Sequence, residues 1–322
     1  MAYDYVKRSA CFMKKNRRIL SVILAAIMVF ALAGCGGDGA DGKKESQKKV
    51  ADDTAVLGMS FLAPEQYETV ERSVEKTTEG KLISKVIMYT ISDDCDVGFA
   101  YTDADGQNLE DEMKDLDIER KEYNGKELIL YKSGKKNIMA LYQEGEDVYA
   151  IQYRSSKEET ISDELDKILQ NVKITKEKTT TLNDFTLEGI SYKVETDVPV
   201  YSESTSLKEK PDGTVVSKSF VWKYAKDSKK TDYRFGIELY KNMKVEEKLN
   251  EKKEYEDKKI GEVTYKVEKK EEETDIYDYY YTQQGEDVYV ISNKGVSNGW
   301  FVSRSDESKE AFKTFINNVR FK

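Results

Sequence analysis

Gly145-Glu146-Asp147-Val148-Tyr149-Ala150-Ile151 returns as Gly285-Glu286-Asp287-Val288-Tyr289-Val290-Ile291, with six of seven positions identical. An agreement of that length points to an internal duplication, and other matches keep the same order along the chain. Gly58-Met59-Ser60-Phe61 answers Gly189-Ile190-Ser191-Tyr192. Gly80-Lys81-Leu82-Ile83-Ser84-Lys85 answers Gly213-Thr214-Val215-Val216-Ser217-Lys218, and Lys121-Glu122-Tyr123 answers Lys253-Glu254-Tyr255. The copies close alike on Asn171-Val172-Lys173-Ile174 and Asn318-Val319-Arg320-Phe321. Each unit is domain-sized, about 120 to 138 residues, and not a solenoid repeat. The expected boundaries are 54–175 and 184–322, with the polar stretch 176–183 as linker.

Within each unit the sequence alternates between two periods. Val148, Ala150 and Gln152 alternate with Tyr149, Ile151 and Tyr153, the period of a half-buried strand. Gly145, Gly285 and Pro211-Asp212-Gly213 read as hairpin turns. Ile161, Leu165, Ile168, Leu169 and Val172 follow helical spacing, as do Phe312, Phe315, Ile316 and Val319 in the second copy. Thr160 or Ser162 is the candidate cap of the first helix, and Ser305 or Asp306 of the second. Shorter helices are expected near Asn108 to Leu116 and Asn242 to Leu249, and each unit ends in a short strand. Hairpins linking most neighbours imply antiparallel sheet covered by helices, an α+β fold.

The opening Gly58-Met59-Ser60-Phe61-Leu62-Ala63-Pro64, the mid-unit helix, the Gly-Glu-Asp-Val-Tyr hairpin and the closing helix ending in Asn-Val-Lys-Ile resemble the PsbP/Mog1-like α/β/α sandwich. The resemblance covers both repeats. It implies two tandem helix-covered sheets, no catalytic signature, and a module that acts by contacting other proteins.

The start of the sequence reads as an export signal. Lys14, Lys15, Arg17 and Arg18 precede an apolar run from Ile19 to Ala33 broken only by Ser21. The run is shorter than the roughly 20 residues a membrane-spanning helix needs. It ends in Leu32-Ala33-Gly34-Cys35, which resembles the lipobox of bacterial lipoproteins. Residues 1–34 are then a signal peptide, Cys35 carries the lipid, and the Gly-rich stretch 35–53 is a flexible tether. The plainer alternative makes Cys35 an ordinary small residue at a signal cleavage site. Met13 is a plausible start, and the expected location is the extracytoplasmic face of a cell membrane.

Composition then excludes several chemistries. The net charge is −9 for the whole chain and about −14 beyond residue 34, because six basic residues and one acidic residue lie before that point. Bulk charge therefore argues against nucleic acid as a partner. The chain has no histidine, which removes histidine-based triads, Cys/His dyads and histidine metal sites. No cofactor, metal or catalytic residue is expected. Cys95 lies among Asp93, Asp94 and Asp96, carboxylates that oppose thiolate formation. Asp103-Ala104-Asp105-Gly106 matches a calcium loop only in part and reads as a turn into a helix capped by Asn108.

The candidate binding surface is aromatic. Tyr277, Tyr279 and Tyr281 project from one face of a strand with Tyr280 opposite, and Trp222 and Trp300 are the two tryptophans. Exposed, such a stripe suits a sugar or an extended peptide; packed, it is a strand built from good β-formers. Three functions follow: a lipid-anchored binding or assembly module for a protein or cell-envelope partner, a solute-binding lipoprotein of a transporter, or a cell-envelope enzyme using carboxylates. The anchor, the duplication and the missing histidine favour the first.

Overall fold

The computed structural model describes residues 55–157, 160–175, 187, 189–192, 199–225, 233–251, 253–268, 277–294, 296–297, 302–303 and 306–322. The leader, Cys35, the tether, the linker 176–183 and Trp300 lie outside them.

Each repeat contributes seven main strands. The first holds β1 (Thr69–Thr77), β2 (Leu82–Ser92), β3 (Cys95–Asp103), β4 (Ile118–Tyr123), β5 (Lys126–Lys132), β6 (Asn137–Glu144) and β7 (Asp147–Ser155). The second holds β8 (Val200–Glu209), β9 (Val215–Tyr224), β10 (Tyr233–Tyr240), β11 (Tyr255–Ile260), β12 (Val263–Glu268), β13 (Tyr277–Gln284) and β14 (Asp287–Lys294). All fourteen join one antiparallel sheet in the order β11-β12-β13-β14-β10-β9-β8-β1-β2-β3-β7-β6-β5-β4. Hairpins close where the sequence places Gly145, Gly213 and Gly285, all at positive φ, a conformation glycine adopts without steric cost.

Four helices are described: α1 (Leu109–Met113), α2 (Ile161–Leu169), α3 (Val245–Lys248) and α4 (Asp306–Asn317). The expected pair of helix-covered α/β/α sandwiches is therefore corrected to a mostly β fold built on one continuous sheet. The mid-unit helices exist where the sequence suggests, but α1 has five residues and α3 four. At 1.5 Å per residue they reach about 6 to 8 Å, against a sheet roughly 60 Å across if laid flat. The sheet is continuous because β1 pairs with β8 across the repeats, a contact without a local turn to announce it.

The two sheet faces carry separate cores. On one face Ile87, Phe99, Ile138 and Ile151 pack under Ile161, Leu165 and Leu169 of α2, and Trp222, Phe235 and Ile237 pack with Phe312 and Phe315 of α4. On the other, Val86, Met139 and Leu141 meet Leu109 and Met113 of α1, and Tyr240, Val288 and Val290 meet Val245 of α3. Among the described residues, every one of these clusters stays within its own repeat. The chain ends of each repeat also meet, Lys173–Ile174 pairing with Met59–Ser60 and Arg320–Phe321 with Ile190–Ser191.

Candidate functional site

Among the described residues the two repeats join at one strand pair, running from Val70 opposite Glu209 to Thr77 opposite Ser202. Ser73 stands seven residues before Gly80, and Ser206 seven before Gly213. They occupy equivalent places and face each other in the register. A residue meeting its own counterpart lies on a two-fold axis, here a pseudo-axis within one chain.

Polar side chains fasten this seam on both faces. Arg72 Nη1 lies 2.7 Å from Glu209 Oε2, with side chains 7% and 16% exposed. On the opposite face Lys223 Nζ is 2.7 Å from both Glu75 carboxylate oxygens, and the Ser202 hydroxyl donates to Glu75 at 2.8 Å. The Ser206 hydroxyl donates to Glu71. Burial raises the Glu71 carboxyl above its ordinary pKa; Ser206 and Lys208 oppose this and Glu238 adds to it. Glu71 and Glu75 sit four residues apart on a strand, about 13 Å between backbones. They lean on Ser206 and Ser202, themselves four apart, so nothing draws them together as an acid–base pair would require.

Side-chain alternation assigns Glu71, Ser73 and Glu75 to the face carrying α1 and α3, since Ser73 pairs with Val86 and Ser206 with Ser219. Between those helices, among the described residues, β1, β8 and β9 send no residue to the clusters under α1 and α3, and β2 meets α1 only through Val86 and Met88. The strip they floor is rich in hydroxyls and charges: Ser84, Ser204, Ser217, Ser219, Lys208 and Lys223. Ser204, Ser217 and Ser219 are half-buried, so short polar side chains lie at the surface. This arrangement forms a broad polar floor, suited to contact and hydrogen bonding.

No family model and no curated protein matches the chain. Among solved structures it is similar to MucB in complex with MucA(peri), at 7% identity over 80% of this chain and 94% of that one, with a TM-score of 0.16. A likeness at that score carries no argument about fold or function.

Of the residues singled out from sequence, Tyr279 and Tyr281 lie on β13 and are half-buried against Tyr240, Val245, Val288 and Val290. Tyr255 meets Tyr281 edge to face at 5.9 Å. Lys248 Nζ lies 3.7 Å from the centre of the Tyr240 ring, and burial lowers that amine's pKa. The Tyr240 hydroxyl donates to Glu238 at 2.6 Å. These tyrosines form a packed wall beside the polar floor. Tyr277 pairs with Lys294 in the register, and Trp222 is buried against Tyr192 and Phe315. Cys95 is half-buried, its sulfur 3.5 Å from the Tyr153 hydroxyl. Asp103 is held by Lys81 at 2.9 Å and by the Asp105 amide, as the turn reading requires. No metal-holding group of acids and cysteine occurs among the described residues.

The structure also explains the repeated Gly-Glu-Asp-Val-Tyr motif. The Tyr149 hydroxyl donates to the Leu57 carbonyl at 2.8 Å, tying the Gly-Glu-Asp-Val-Tyr hairpin to the segment just before Gly58. In the second repeat the Tyr289 hydroxyl lies 2.9 Å from where a side chain on Gly189 would begin. Gln143 and Gln283 were missed from sequence. Gln143 Oε1 accepts from the Leu109 amide at 2.6 Å and Gln283 Oε1 from the Val245 amide at 2.8 Å, so the same side chain starts α1 and α3. Each also donates to the glycine carbonyl of its own hairpin. The signal was present, since both glutamines stand two residues before the repeated glycine.

Proposed function

We propose that the chain is a lipid-anchored, non-catalytic module on the extracytoplasmic side of a membrane, binding a protein partner through the polar floor between α1 and α3. The observation that carries the reading is this helix-free strip of half-buried serines and paired charges, shared by both repeats. Short hydroxyls let a partner's backbone approach closely, and flanking Lys208 and Lys223 add charge-assisted contacts. A small solute would need enclosure. The cavity beside Tyr123, Leu128, Leu169 and Ile174 has a volume of about 10 Å³, room for a single water. The leader and Cys35 supply the anchor in this reading, and no helix among the described residues is long and apolar enough to cross a membrane.

The test is photo-crosslinking in cells. A photoreactive amino acid at Ser204 or Ser219 should trap one and the same protein, and one at Glu203, exposed on the opposite face, should not. Equal capture from both faces, or capture from neither, overturns the proposal.

A further inference from the structure

The seam resembles a dimer interface more than the interior of a domain. Its strands meet about a pseudo-two-fold at Ser73 and Ser206. Its side-chain links are polar, Arg72 to Glu209, Glu75 to Lys223 and Glu71 to Ser206. The apolar clusters on either side do not merge across it. Each repeat therefore keeps its own core when the seam opens, and opening exposes two strand edges.

We propose that the seam is exchangeable and that its alternative occupant is a second copy of this chain, β1 of one molecule pairing with β8 of another to form a reciprocal dimer. Strand edges in general accept any extended chain, but these edges are coded. β1 places Glu71, Arg72 and Glu75 where β8 and β9 place Ser206, Glu209 and Lys223. Each molecule carries both halves of the code, so two copies satisfy each other completely. Thirteen residues connect Thr175 to Gly189, the nearest bonded residues on either side. Fully extended they reach about 50 Å, long enough for repeats to trade partners in the manner of a domain swap.

The register supplies the test, in the full chain carrying Cys11→Ala, Cys35→Ala and Cys95→Ala. A molecule with both Ser73→Cys and Ser206→Cys should close a disulfide within itself. Molecules carrying one substitution each, unfolded together in denaturant and refolded as a mixture, should give a 73-to-206 linked dimer whose yield rises with protein concentration. Val74→Cys with Thr205→Cys, the adjoining register pair, repeats the measurement without touching the Ser206 to Glu71 bond. The proposal is overturned if the doubly substituted chains close and the mixtures stay monomeric up to millimolar concentration. It is equally overturned if Ser73→Cys chains link to each other as readily as to Ser206→Cys chains, or if neither double variant closes. No partner protein enters this experiment, so its failure leaves the polar-floor reading standing.

Discussion

A carboxyl group that folding desolvates holds its proton more tightly than the same group in the open chain, and Glu71 is in that position at the seam. Its folded pKa is raised above the unfolded one, so the stability it lends is complete below the unfolded value. That contribution is lost as pH rises through the folded value. Glu71→Gln keeps an acceptor for Ser206 and removes the charge. Its melting temperature should exceed that of the parent near pH 7, with the gain vanishing below about pH 3, where both states of the parent carry the proton. An unchanged difference across that range in calorimetry would mean Glu71 is solvated. At this scale the sequence showed the residues whose role is local. Asn108, read as a cap, accepts from the Glu110 amide at 2.8 Å. Gln143 and Gln283 escaped because their partners lie more than thirty positions away, and a polar strand residue looks solvated until the fold brings a helix start to it.

Elements were legible in proportion to their length. In α2, Ile161, Leu165 and Leu169 repeat along one face and are all buried, as their spacing predicts. Leu165→Ala should cost about 2 to 5 kcal/mol, read from denaturant midpoints, because the site is closed by sheet beneath it. A loss under about 1 kcal/mol would show that α2 is loosely seated. The short helices were placed correctly and overestimated, since four or five residues leave too little pattern to show where a helix stops. The outer strands carry a protection readable from sequence. β4 exposes Glu119, Arg120 and Glu122, and β11 exposes Glu256, Asp257, Lys258 and Lys259, charges that discourage pairing at the sheet ends. The seam strands are the contrast, with Arg72 and Glu209 covered by each other.

At the scale of the molecule, the matched segments were readable in the sequence and their union in one sheet was not. Repeat matching reports what each unit contains; whether two units lie apart or share a sheet depends on backbone edges, which every sequence has alike. The polar floor was hidden for the same reason, because Ser73 joins Ser206 and Ser219 only once the seam forms. For the anchor, Cys35→Ala should either release the body into the medium or leave an uncleaved precursor, distinguishable by membrane fractionation and by mass. Continued retention of a processed chain would remove lipid on Cys35 from the account. Finally, the meeting of chain ends within each repeat has a topological consequence. Because Met59–Ser60 lies beside Lys173–Ile174, and Ile190–Ser191 beside Arg320–Phe321, each unit enters and leaves at one corner. Within the first repeat alone, a circular permutant that joins these neighbouring ends and opens instead at the Gly134 turn would leave each of its seven strands uncut. Tension arriving along a tether would likewise meet a two-residue latch at that corner before it reached any long strand.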